Sequence, residues 1–473
     1  MNYGLILISP VVLVRLLSVE TFGQYREFLL YTSVLTALAA FGVNSSLLHF
    51  VGHRPEQARR FVLQASLMTF ATSTLVIGGV AALDFALGGA VVGEYMLPIA
   101  LYVPLVVNFD FWESLWIAQR RPIAVFGYTT GRLLARLTVV IVAAALSADV
   151  DVIIWSLIGL EAVRLSISAV AWLRGRQRGA HEVASTWREQ LKFCLPAGTA
   201  TVLLTLNRSM GSVFVAKLLG PVGLAHYAIG TYVQPVLAVL RNSLSDALLP
   251  EMSAQQPSQH GTAAARADPL FLWRRMTVVA AIFLMAAAVV LARFADTLIV
   301  TFFTEEYRAA VLVFQIYLFV LVRESMDFSV PLRAINCTAP IMHGTVFSLA
   351  LNAALLSILL PALGLPGAAL AYVISRAVEG IYLGLRTARA YRIAPGELAS
   401  WGDLAKVVIA SLLASITLYG SFWTDFFGLP GVAAGAACFL LTYLALLLLL
   451  RVPEAALLLR RVQRLPGVFS TRP

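Results

Sequence analysis

The chain has 473 residues, of which 59% are hydrophobic and 13% charged; its mean hydropathy is +0.83 and its net charge +10. A soluble domain carries about 25% charged residues, so the composition excludes one and indicates an integral membrane protein. The positive balance then requires no nucleic-acid partner, because membrane proteins gather Lys and Arg in their cytoplasmic loops.

Apolar runs set against breakers predict fourteen spans, at 3–17, 28–49, 61–83, 96–118, 123–146, 152–173, 194–216, 222–248, 276–300, 309–332, 340–361, 366–386, 405–424 and 428–450. The first run, Tyr3–Val14, is short for a span, which needs about 20 residues. It lacks both the basic flank and the cleavage site of a signal peptide; either the helix continues through Arg15 to Leu17 or the start lies several residues upstream, and the missing cytoplasmic basic flank favours the second. Cys194, Cys337 and Cys438 show no metal or disulfide spacing and read as packing residues. His49 and His53, four apart at the end of span 2, have no third ligand nearby and read as interfacial. Gly127 and Gly131 form a GxxxG in span 5, which predicts a close helix contact.

Loop charge sorts by side. Loops after even-numbered spans, with the C-terminus, hold 23 Lys and Arg; loops after odd-numbered spans hold 3. This asymmetry predicts an even number of spans with both termini cytoplasmic. Every outward loop is short, so a soluble catalytic domain is not expected.

Nine arginines fall inside the spans: Arg15, Arg132, Arg136, Arg164, Arg208, Arg241, Arg293, Arg323 and Arg376. An arginine near the bilayer centre costs at least ~2.5 kcal/mol, so it faces a cavity or a partner. Helical spacing predicts local pairs Glu161/Arg164, Arg293/Asp296, Arg323/Asp327 and Arg376/Glu379. Arg132 and Arg136 are a same-sign i,i+4 pair in span 5, and Arg208 has no acid nearby in sequence. Guanidinium suits phosphate because its planar fork donates two charge-assisted bonds and stays protonated. Arg132, Arg136 and Arg208 are therefore the leading candidates for binding an anion in a cavity, with Arg164, Arg323 and Arg376 behind them. The competing reading is salt bridging between helices, for example to Asp110 and Glu113 of span 4. Those two acids are themselves candidates for proton or sodium coupling. Trp112 and Trp116 read as interfacial aromatics, with sugar stacking as the alternative.

A short segment repeats. Leu16-Leu17-Ser18-Val19-Glu20-Thr21-Phe22-Gly23-Gln24-Tyr25 recurs as Leu218-Leu219-Gly220-Pro221-Val222-Gly223-Leu224-Ala225-His226-Tyr227, six spans later. Parallel repeats of this kind are related by an axis along the membrane normal, with the transport site between them. The expected fold is all-α: a lobe at 1–180, a second at 181–395, and two further helices with a tail at 396–473.

The segment Arg15–Tyr25, followed by an apolar helix running to Gly42-Val43-Asn44-Ser45-Ser46, resembles the start of bacterial polysaccharide flippases. These belong to the multidrug/oligosaccharidyl-lipid/polysaccharide exporter superfamily. The resemblance implies translocation of an undecaprenyl-pyrophosphate-linked oligosaccharide across the bacterial inner membrane by alternating access. It also implies a polysaccharide polymerase and glycosyltransferases as partners, beside membrane lipids. Two rivals share the architecture, a peptidoglycan-precursor flippase and a multidrug exporter; nine intramembrane arginines against eight acids favour an anionic substrate. A membrane glycosyltransferase or ligase would need larger outward loops. No phosphate-binding Gly-rich Lys loop is present, so ATP is not expected to drive transport directly; proton or sodium antiport and consumption of the product outside both stay open, and neither an enzymatic role nor a cofactor is expected.

Overall fold

The computed structural model describes residues 2–174, 187–232, 252, 270–419 and 428–457. Among these the secondary structure is helical throughout. The chain divides into two compact units, Met1–Ala228 and Ile229–Pro473.

The first unit begins with α1 (Asn2–Leu16) and α2 (Val19–Ala40). Ser18 caps α2, its hydroxyl accepting the Thr21 N–H at 3.1 Å, as a Ser at this position does. α2 ends at Phe41 and Gly42, both at positive φ, and α3 (Val43–His53) leaves at 42° to it. α4 (Ala58–Ala86) follows. The Asp84 carboxylate accepts the N–H groups of Val91 and Val92, each at 2.9 Å, and so pins the next turn. Span 4 is broken into α5 (Met96–Val107) and α6 (Trp112–Ala118). Pro104 lacks the N–H that the preceding turn requires, and Phe109 turns the chain at φ 54°. α7 (Pro122–Ser147) and α8 (Val150–Arg174) pack side by side. α9 (Trp187–Gly230) is interrupted at Gly220, whose φ of 69° and ψ of −171° are open chiefly to glycine.

The second unit holds α10 (Phe271–Arg293), α11 (Ala295–Phe303), α12 (Ala310–Leu318), α13 (Val320–Glu324), α14 (Ser329–Ala334), α15 (Ala339–Leu363), α16 (Leu365–Tyr391), α17 (Trp401–Ser415) and α18 (Gly428–Leu449). α15 and α16 form a close hairpin about Gly364, and Gly367 lies against the Leu359 carbonyl with no room for a side chain. Trp273, Phe294 and Phe439 are buried together in this unit's core.

The expected count of fourteen spans is not established. Ten helices among the described residues are long and apolar enough to cross a membrane, or eleven if the bent pair α2–α3 is one span. The three that fall short have different causes. α1 has only 15 residues. The predicted span at 222–248 lies mostly outside the described residues. The span at 309–332 is divided among α12, α13 and α14.

Many large apolar side chains point outward, Leu75 (77% exposed) and Leu146 (81%) among them. Lipid solvates such side chains as well as another helix does, so burying them gains little. Cys194 is buried with Phe50, Phe61 and Phe111, as a packing residue would be.

Candidate functional site: two buried charge clusters

The break in span 4 organises the first unit's charges. Where α5 ends, its last carbonyls have no partner within the helix, and no water in lipid can supply one. Arg164 of α8 does so. Its Nη2 donates to the carbonyls of Leu105, Val106 (3.1 Å) and Asn108 (3.3 Å), and its Nη1 to Phe109 (3.5 Å). A cation at a helix C-terminus is also favoured by the helix dipole. Thr69 donates to the Asn108 side chain at 3.0 Å and holds the break from α4.

Asp110 lies in this break and pairs with Arg132 of α7 at 2.7 Å and with Arg164 at 3.7 Å. Glu161 pairs with Arg164 one helical turn along α8 and reaches Arg132 at 3.7 Å. The predicted Glu161/Arg164 pair is thus present. Arg132 is not free to the extent its sequence neighbours suggested, because an acid from another helix neutralises it. Two positive and two negative groups balance.

Arg136, one turn further along α7, is different. Its guanidinium is within electrostatic reach of the Tyr102 and Tyr25 hydroxyls and of Glu161. Among the described residues no carboxylate is within ion-pair distance of it. Tyr25 was not singled out from sequence, although it closes the repeated segment. Arg208 of α9 is exposed and likewise has no ion pair among the described residues. Glu113 of α6 is partly exposed and makes none either. The remaining intramembrane candidate of this group, Arg241, lies outside the described residues.

A cleft of about 330 Å³ opens between α7 and α8 beside Arg132, lined by Gly127, Tyr128, Gly131, Glu161 and Arg164 among others. It corrects the reading of the GxxxG. A Cβ at Gly127 or Gly131 would meet nothing within 4 Å, so these glycines border open space rather than a helix contact. Tyr128 extends the wall to Trp116, with ring centroids 5.6 Å apart. Trp116 in turn packs on Trp112 at 5.3 Å, and Trp112 on Phe111 and Trp172. His49 stacks on Phe193 at 4.8 Å.

The second unit builds its own cluster. Arg376 and Glu379 pair one turn apart on α16, as predicted. Arg376 also bonds Glu324 at 3.0 Å; Arg323 pairs with Glu324 at 3.3 Å and reaches Glu379 at 3.9 Å. The predicted Arg323/Asp327 pair does not form. Between α13 and α14 the helix is broken, so i,i+4 spacing no longer places these side chains on one face; Asp327 accepts from Ser329 and lies 3.9 Å from Arg333 instead. Nor does Arg293 pair with Asp296. The helix breaks between them at Phe294, Arg293 donates to the Leu418 carbonyl at 2.8 Å, and Asp296 pairs with Arg308 at 3.0 Å. Asn352 of α15, also overlooked, is fully buried with neither amide atom hydrogen-bonded; its signal in sequence is a lone amide in a long apolar run.

Comparison with known proteins follows this geometry. The model of a family described as "Polysaccharide biosynthesis protein" matches residues 12–312. No curated protein sequence matches. Among solved structures, the chain is similar to "Lipid II flippase MurJ, inward closed conformation", with TM-score 0.67 and 14% identity over 98% of this chain and 99% of that one. It is also similar to an inward-facing "multidrug resistance MATE family transporter of the MOP superfamily", with TM-score 0.54 and 17% identity over 83% of this chain and 94% of that one. At these identities the likeness shows a shared all-helical fold.

Proposed function

The chain belongs to the polysaccharide biosynthesis protein family, and from that premise we propose that it is a flippase. It moves an undecaprenyl-pyrophosphate-linked oligosaccharide from the inner to the outer leaflet of the bacterial cytoplasmic membrane by alternating access, with both termini cytoplasmic. Upstream glycosyltransferases make the substrate, and a polymerase consumes it outside. The observation that carries this reading is the state of Arg136 and Arg208. Arg132, Arg164, Arg323 and Arg376 are neutralised by Asp110, Glu161, Glu324 and Glu379. Arg136 and Arg208 are not, so their charge is available to a diphosphate. Arg132, about a quarter exposed, joins them when Asp110 shifts toward Arg164.

Of the two acids read as ion-coupling, Asp110 is held by two guanidinium groups, whereas Glu113 has no ion pair among the described residues. Proton or sodium coupling in this reading therefore falls to Glu113.

The test is flipping of a lipid-linked oligosaccharide in proteoliposomes. A charge-assisted hydrogen bond contributes about 1.5–3 kcal/mol, so Arg136→Ala and Arg208→Ala should each slow flipping by roughly tenfold or more. Arg132→Ala should slow it less. Unchanged rates in folded Arg136→Ala and Arg208→Ala would remove the anion site. A peptidoglycan-precursor flippase is the second reading, favoured by the full-length likeness to a lipid II flippase. Both substrates present a pyrophosphate, so competition between the two lipid-linked sugars decides between them.

A further inference from the structure

We propose that Tyr128 is a substrate-binding residue. Its hydroxyl donates to the diphosphate as the first rung of a ladder that continues through Arg132 to Arg136. This deepens the flippase reading above and rests on it.

The ladder follows from helix geometry. Tyr128, Arg132 and Arg136 stand four residues apart on α7, which runs unbroken from Pro122 to Ser147. Residues four apart share a face, each about 6 Å further along the axis than the last. All three side chains end in hydrogen-bond donors, and the two guanidinium groups cannot accept. Such a face suits an anion with several oxygens. Arg120 and Arg121 mark the Pro122 end of α7 as the cytoplasmic one, so a substrate entering from that side meets Tyr128 before either arginine.

The surroundings of the hydroxyl fit this role. It is shielded from solvent and, among the described residues, hydrogen-bonded to nothing. A buried hydroxyl without a partner costs free energy, so each one calls for an explanation. The ring itself is firmly placed: Trp116 meets it at 79° with centroids 5.6 Å apart, and Trp112 backs Trp116. Tyr128 lies within electrostatic reach of Arg132 and lines the cleft between α7 and α8. Glycine keeps that cleft open, since a Cβ at Gly127 or Gly131 would meet nothing. A packed seam in the same unit looks different: a Cβ on Gly198 would come 2.7 Å from the Phe41 carbonyl, and one on Gly42 would come 2.6 Å from the Gly198 nitrogen. Thr130 also carries a buried, unpartnered hydroxyl, but it stands off the ladder and does not line the cleft.

Asp110 connects the hydroxyl to binding. It accepts from Arg132 at 2.7 Å and lies in the break that leads into α6, the helix carrying Trp116. A diphosphate that takes the place of Asp110 on Arg132 brings its oxygens within reach of the Tyr128 hydroxyl, one turn away.

The experiment removes that one oxygen. Purified wild type, Tyr128→Phe and Thr130→Val are titrated in detergent with farnesyl diphosphate and, separately, with inorganic pyrophosphate, and each is melted without ligand. In Tyr128→Phe the affinity for farnesyl diphosphate should fall about tenfold, the loss of one charge-assisted hydrogen bond. Its melting temperature should hold or rise, because an unpartnered buried hydroxyl has gone. Thr130→Val should keep its affinity. A parallel fall for inorganic pyrophosphate assigns the contact to the diphosphate alone; a fall confined to farnesyl diphosphate assigns it to the lipid-borne group. A lower melting temperature in Tyr128→Phe overturns the proposal, since the hydroxyl would then be bonded within the fold. Unchanged affinity in Tyr128→Phe, or an equal fall in Thr130→Val, overturns it alone. A wild type that binds neither diphosphate overturns it together with the flippase reading.

Discussion

The two units solve one problem with different degrees of enclosure. In each, a broken span brings an acid (Asp110, Glu324) to an Arg–Glu pair on a long unbroken helix, α8 or α16, and a second arginine completes a neutral set of four. In the second unit every member is at most 14% exposed. In the first, Arg132 and Asp110 are 27% and 23% exposed and border a cleft. Arg164 meanwhile spends most of its donors on backbone carbonyls. The second cluster is thus built to stay shut, whereas the first has a fixed half, Arg164 and Glu161, and an accessible half, Arg132 and Asp110.

The comparison can be broken most decisively in the enclosed cluster. Glu379→Ala leaves Arg323 and Arg376 with a single carboxylate between them. Removing one partner of a buried pair costs about 3–5 kcal/mol, so thermal unfolding in detergent should show a severely destabilised protein. A melting temperature close to wild type would mean that the cluster is hydrated.

Arg164→Ala should come next, at about 2–4 kcal/mol, since it strands the Glu161 carboxylate and the α5 carbonyls together. Arg164→Lys should recover only part of this, because a point charge cannot span several carbonyls as the guanidinium fork does. Equal unfolding for the two variants would show that charge alone matters at the break.

Asp110→Asn tests the accessible half. A partly exposed pair contributes about 1 kcal/mol, so unfolding should barely move while Arg132 is released. Binding of a short-chain prenyl pyrophosphate, followed by its protection against heat, should then strengthen. Weaker binding would make Asp110 part of the site rather than its competitor.

The smallest effect belongs to Gly131→Ala. With open space beside it, the substitution should stabilise α7 by about 0.5–1 kcal/mol through helix propensity alone. Gly198→Ala, forced against Phe41, should destabilise instead, and the opposite signs would mark cleft against seam.

Much was legible in the chain itself. Composition alone placed it in a membrane, because so few charges cannot solvate a soluble surface. Apolar runs located the helices, and Glu161/Arg164 and Arg376/Glu379 followed from i,i+3 spacing, since both pairs lie on unbroken helices. The repeated segment, read as the turn between the first two spans of each block, falls at the turn before α2 at Ser18 and at the break within α9 at Gly220. Other features waited on tertiary structure. Arg293/Asp296 and Arg323/Asp327 failed because helix breaks removed the periodicity on which the pairing rule depends. The partnership of Arg132 with Asp110 joins residues on different helices, and no local spacing encodes it. Gly127 and Gly131 carry the same pattern as a packed seam, yet Gly42 and Gly198 form one and they do not. A glycine permits close approach, and only the placement of a second backbone decides whether that approach occurs.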